Sequence, residues 1–280
     1  MSEIFSDLSS VGFTGLSNVK IFDDDEEKKK STKQESANAG PQYNEADFLF
    51  DKKVQCPVCD NEFKTKTVKT GKPHLIGSDP DLRPKYQGID SVKYDVIVCP
   101  HCGYGALSRF FSYMTTHQAK LIHDNISVNF KGLAQTGETY TYDEAIARYK
   151  LALLNTVIKK AKVSERAYTC LKLAWLYRGK AENLKPEEPD YDKQKEECAK
   201  NEKEMLTNAY EGFVMSVSRE LFPICGMDET TLDYLMANLA RQIGKNDEAL
   251  RILSKILVSN TANPKIKDKA RDLKEAIKGK

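Results

Sequence analysis

Two short motifs, Cys56-Pro57-Val58-Cys59 and Cys99-Pro100-His101-Cys102, bring four thiols to two Cys-x-x-Cys turns. That number and spacing suit a closed tetrahedral site for a structural Zn²⁺ held by thiolates. In each motif a prolyl ring stiffens the turn. The residues that follow, Asp60-Asn61 and Gly103, tolerate positive φ. Such turns fold backbone N–H groups back onto the sulfurs and favour the thiolate form. Cys56, Cys59, Cys99 and Cys102 are therefore expected to hold one Zn²⁺ per chain. Binding worth an apparent ~10–16 kcal/mol would stabilise a module too turn-rich to stand alone. A site of four thiolates around Zn²⁺ is negative, and Lys64, Lys66, Lys69 and Lys93 are near enough in sequence to offset it. Iron in a rubredoxin-like site is the alternative metal.

A redox reading competes with the metal. Cys-Pro-His-Cys resembles the active-site motif of thiol oxidoreductases, and it follows a strand pattern and precedes a possible helix. A helix N-terminus and a neighbouring imidazolium would both lower the thiol pKa of Cys99. Against this, the chain after residue 140 reads as helical, where a thioredoxin core would need strands. The first cysteine pair would also have no use. His101 lies between two ligands and should project to solvent, and His74, His117 and His123 are scattered. No phosphate-binding glycine loop, His-Glu-x-x-His pattern or nucleophile elbow occurs, so no catalytic residue is expected. Asp79, Asp81, Arg83 and Lys85 could line a site. The simpler reading is an extended loop held by Pro80 and Pro84, with Arg83 paired to a carboxylate. Cys225, ahead of a helix capped by Asp228, reads as a small buried hydrophobe rather than an activated thiol. Trp175 reads as core.

The elements that must position the cysteines follow from the apolar patterning. Phe48, Leu49, Phe50 and Val54 lead into the first pair, and Phe63, Thr65 and Thr67 alternate out of it as in a half-buried strand. A turn-rich insert from Gly71 to Asp90 follows, and Tyr94, Val96 and Val98 alternate into the second pair. This is the pattern of a zinc ribbon with a long insert. Beyond Ala106 the period becomes helical. Faces are marked by Tyr142, Ala145, Ile146, Tyr149 and Leu153, then by Ala167, Cys170, Leu171, Ala174 and Tyr177. Further faces comprise Leu206, Ala209, Tyr210, Phe213, Val214 and Val217, then Leu232 to Ile243, Ala249 to Leu257 and Ile266 to Ile277. Short connections between them predict antiparallel packing. Residues 183–201, with Pro186 and Pro189, read as a charged connection. The expected class is α+β: residues 46–112 a zinc-ribbon-like β module, residues 113–280 an all-α domain. Residues 1–45 read as an apolar peptide followed by a charged linker. That peptide, with Ile4, Phe5, Leu8, Val11 and Phe13, could dock on its own chain or on a partner.

The 280-residue chain carries a formal charge of only +2, too little to imply a nucleic-acid or membrane partner by itself. Its seven cysteines are an odd number, and no basic n-region with an apolar run opens the sequence. Nowhere do about 18 apolar residues follow one another. These features predict a reducing, cytoplasmic setting and no membrane partner.

Within residues 230–264, Ala237, Gly244 and Ala249 with Leu253, Ile256 and Pro264 resemble a tetratricopeptide unit. Residues 167–178 with 202–217 resemble a degenerate second unit. The chain also resembles a family of uncharacterised bacterial proteins defined only by a domain of unknown function. The resemblance rests on both cysteine motifs, Asp81-Leu82-Arg83-Pro84-Lys85-Tyr86, Tyr94 to Tyr104, Leu173-Ala174-Trp175-Leu176-Tyr177-Arg178 and Phe222 to Asp228. It implies a zinc-ribbon front and a tetratricopeptide-like back, with no activity to carry over. The function expected is that of a zinc-binding adaptor whose helical domain binds another protein. Nucleic-acid binding through the ribbon is the second reading, since Phe63, Tyr86 and Tyr94 interleave with its lysines. Thiol–disulfide exchange at Cys99 and Cys102 is the third.

Overall fold

The computed structural model describes residues 43–279, together with Gly12. The expected apolar peptide over residues 1–22, Gly12 apart, and the charged linker over 23–41 lie outside the described residues.

Each cysteine motif forms the tip of an antiparallel hairpin. Strands β1 (Leu49–Gln55) and β2 (Glu62–Val68) pair from Leu49↔Val68 to Gln55↔Glu62, and the first motif closes that end. On β2, Phe63 and Thr65 are buried while Glu62 and Lys64 are exposed, the alternation of a strand wet on one face. The insert supplies a second hairpin, β3 (Leu75–Ser78) and β4 (Pro84–Tyr86). Strands β5 (Val96–Val98) and β6 (Gly105–Leu107) form the third, with the second cysteine motif at its tip. All three residues of β5 are buried, so this short apolar run is covered on both faces.

Helices follow: α1 (Thr116–Ile122), α2 (Tyr142–Ile158), α3 (Val163–Asn183), α4 (Tyr191–Arg219), α5 (Glu229–Gln242), α6 (Asn246–Val258) and α7 (Pro264–Lys278). Their starts are written locally. Thr141 and Glu144 form a capping box on α2, Asp228 caps α5, and Asn263 precedes Pro264 at the first turn of α7. The α3 start uses a distant cap. Glu220, just past α4, accepts from the Ser164 backbone N–H at 2.9 Å and the Ser164 hydroxyl at 2.6 Å. A carboxylate there also complements the helix dipole.

The connection expected over 183–201 is shorter, since α4 begins at Tyr191. Its first half is rich in Lys, Glu and Gln, strong helix formers, and Cys198 is buried there. Pro186 and Pro189 fall before the helix, where they do no harm. In the α5–α6 hairpin, Ala237 and Ala249 are fully buried.

One apolar core runs through both halves of the chain. It joins Phe63, Val96, Val98, Tyr104 and Phe111 to Ala145, Tyr149, Ala152 and the interior of α3 to α5. Gly105 lies against α2: a Cβ there would stand at an ordinary contact distance, 3.5 Å, from the Ala152 Cα. The class is α+β and mostly helical, with the cysteine-bearing strands first. Among the described residues no helix is long and apolar enough to cross a membrane.

Candidate metal centre

The two hairpin tips face each other and bring the sulfurs of Cys56, Cys59, Cys99 and Cys102 all within 4.8 Å of one another. Cys56 Sγ lies 3.5 Å from Cys102 Sγ, and Cys59 Sγ lies 3.6 Å from Cys99 Sγ. A tetrahedron with Zn–S bonds of about 2.3 Å has S–S edges of about 3.8 Å, so the spacing fits a cation bound by four thiolates.

The tips are built alike. Asp60 N–H donates to the Cys56 carbonyl and Gly103 N–H to the Cys99 carbonyl, each at 3.0 Å. Cys56 N–H reaches the Asn61 carbonyl at 3.0 Å, and Cys99 N–H the Tyr104 carbonyl at 2.8 Å. Both turns then need a residue at positive φ directly after the second cysteine, filled by Asp60 (58°) and Gly103 (72°). Gly103 has a further constraint, because a Cβ there would stand 2.5 Å from Cγ of Phe130.

Donors on the sulfurs come from these turns. Val58 N–H approaches Cys56 Sγ at 3.5 Å, and the Asn61 side-chain amide approaches Cys59 Sγ at 3.4 Å. The lysines expected to offset the charge are engaged elsewhere. Lys66 pairs with Asp51 at 3.0 Å, Lys93 pairs with Glu45 at 2.7 Å, and Lys69 donates to the Asp47 carbonyl. Lys64 is exposed. Charge compensation is thus dipolar, through N–H groups.

Crowding decides the protonation of the thiols. Hydrogen bonds from Cys102 and then Cys56 hold Cys99 far below the ordinary thiol range. Hydrogen bonding to Cys56 and Cys99, then burial, push Cys102 well above it. Four thiolates at this spacing require a cation among them.

Asn155 was not legible as part of the site. From α2 its side chain donates to the Gly103 carbonyl at 3.1 Å and anchors the second tip to the helix. An asparagine within an apolar helical face was the available signal. His101 is exposed. Strand β6, rather than the possible helix, follows Cys102.

The insert residues meet on α3 instead of forming a site with the cysteines. The fully buried Asp81 accepts from both terminal guanidinium nitrogens of Arg178, at 2.7 and 3.1 Å, and from the Gln242 amide at 3.2 Å. Arg178 also donates to Asp79 at 3.2 Å and Glu202 at 2.7 Å. Arg83 donates to Glu182 at 2.8 Å and Asp90 at 3.2 Å, and Lys85 pairs with Asp79 at 2.7 Å. Burial alone would raise the pKa of Asp81, but the Arg178 charge and hydrogen bonds bring it below the ordinary carboxylate value. These carboxylates are all matched to cations, as in a structural latch.

Cys225 donates to the Ser164 carbonyl at 3.3 Å, and burial pushes its thiol up to about 12, opposite to an activated nucleophile. Trp175 is buried.

The chain is 25% identical over 166 residues to an uncharacterized protein of Borreliella burgdorferi, a match covering 51% of this chain and 56% of that protein. No solved structure matches it. The family model described as "Uncharacterized protein conserved in bacteria (DUF2225)" matches residues 49–277, which takes in both cysteine tips, the insert and all the helices. The chain belongs to that bacterial family.

Proposed function

We propose that Cys56, Cys59, Cys99 and Cys102 hold one structural Zn²⁺, and that the protein is a cytoplasmic adaptor whose helices bind another protein. The observation that carries the metal reading is the convergence of four sulfurs on two matched turns. Four protein thiolates leave no open position for substrate, which favours structure over catalysis. Redox exchange is disfavoured because Cys99 and Cys102 are both buried and no helix N-terminus follows them. Nucleic-acid binding is disfavoured because Lys53, Lys66 and Lys93 are engaged by Glu62, Asp51 and Glu45.

The helical half supports an adaptor role through its paired amphipathic helices and exposed apolar residues such as Val214 and Val258. Since β5 and β6 share a core with α2, the test uses the full chain. Elemental analysis should find one zinc per chain and no thiol-transfer activity. Metal-free native protein cycling a Cys99–Cys102 disulfide would promote the redox reading. Affinity capture with the wild type should retain a protein that V214E/V258E loses. Equal capture by both would remove the helical surface from the proposal.

A further inference from the structure

We propose that the apolar N-terminal segment carrying Gly12 docks on its own chain, on a shelf formed by residues 129–131 beside the second cysteine tip. Gly12 has φ +105°, and a Cβ built on it would stand 1.9 Å from the Asn129 carbonyl oxygen and 3.2 Å from Cγ of Lys131. The backbone at residue 12 thus lies against the shelf more closely than any side chain permits. Glycine at this position answers a contact as well as a backbone conformation.

The shelf is fixed to the metal centre. The Phe130 ring lies on Gly103, directly after Cys102, and the N–H groups of Asn129 and Phe130 both donate to the Ile126 carbonyl at 3.0 Å. Phe130 and Leu133 are half-buried and give the shelf an apolar surface next to Asn129 and Lys131. Among the described residues, the backbone over 131–135 has no backbone hydrogen-bond partner. A backbone laid alongside at Gly12 would supply one. The occupant is this chain's own segment rather than a second copy, because Gly12 of the same chain stands against Asn129 and Lys131.

Two measurements on the full chain test this. With benzoylphenylalanine in place of Phe13, irradiation should join residue 13 to residues 128–133 within a monomer. A cross-link in a covalent dimer would assign the shelf to a second copy, and absence of any cross-link to 128–133 would remove the docking; either overturns the proposal. Separately, Gly12→Val should speed amide exchange at Gly132 and Leu133 by about tenfold or more while α3 amides stay protected. Unchanged exchange at those two amides would overturn it. Should the variant lose α3 protection as well, the cross-link alone decides.

Discussion

Cys99 belongs to two structures at once, the thiol cluster and the apolar core. Replacing it with Ser removes one of four ligands and leaves a hydroxyl where a sulfur packed without exposure. If the proposed zinc is held there, Cys99→Ser should abolish it by elemental analysis and lower the thermal midpoint together, because metal binding and folding share one free energy. Asp81 offers a test free of the metal. Breaking a buried, hydrogen-bonded ion pair costs about 3–5 kcal/mol. Asp81→Asn should fall near the lower end, about 3 kcal/mol in urea titration, since Asp79 and Glu202 still hold Arg178. The pH dependence has a defined sign. The folded pKa of Asp81 lies below its ordinary 3.8, so its contribution is full above that value and is lost as pH falls through the lower one. The gap between wild type and Asp81→Asn should therefore be flat from neutrality to about pH 5 and narrow below about pH 4. Glu202, raised chiefly by burial, contributes with the opposite sign in both proteins, a little less in Asp81→Asn, where the Asp81 charge that helps raise it is gone.

Helix α3 shows how an element is shaped by what docks on it. Gly179 sits within its last two turns, where Ala would ordinarily favour the helix by about 1 kcal/mol. A Cβ there would meet Cε1 of Tyr142 at 2.8 Å, and Nη2 of Arg83 and Oδ2 of Asp90 at 2.9 Å. Arg83 and Asp90 belong to the latch and the Tyr142 hydroxyl donates to Asp90 at 3.0 Å, so none of the three shifts without loosening those bonds, and overpacking of this kind costs about 1–3 kcal/mol. Gly179→Ala should be net destabilising by about 1–2 kcal/mol in chemical denaturation, against its helix propensity. Local chemistry made much of this fold legible. The cysteine tips, the alternation at Phe63 and Thr65, the Asp228 cap and the buried faces of α2, α3 and α5 all follow from spacing within a few residues. The start of α4 was not legible, because its charged first half has no apolar stripe and buries only Cys198 before Met205. Nor were the partners of Arg178 and Asp81, which lie 97 residues apart in the chain. Short-range pattern shows that such residues are unusual and is silent on which ones meet.

At the scale of the whole molecule, the question is what remains when the proposed metal is taken away. A small zinc module draws an apparent ~10–16 kcal/mol from its metal, against a net domain stability of about 5–15 kcal/mol. Loss of the ion could therefore unfold everything. The attachments argue for a graded response instead. The β5–β6 hairpin is buried against α2, where the Tyr149 hydroxyl donates to the Val92 carbonyl at 2.8 Å and Asn155 holds Gly103. The insert is tied to α3 and α5 through Arg178 and Gln242, without the cysteines. The β1–β2 hairpin has much weaker anchorage: β1 is largely exposed, and the buried residues of β2 are Phe63 and Thr65. Its first tip is joined to the rest through the sulfurs and through Phe63, whose ring packs on Phe111. Chelation at neutral pH should therefore free residues 50–68, seen as rapid amide exchange across β1 and β2, while β5, α2 and α3 stay protected and the helical circular dichroism persists. A single transition that deprotects α3 together with β1 would show instead that the shared core is too weak to survive without the ion, and that the metal folds the whole chain.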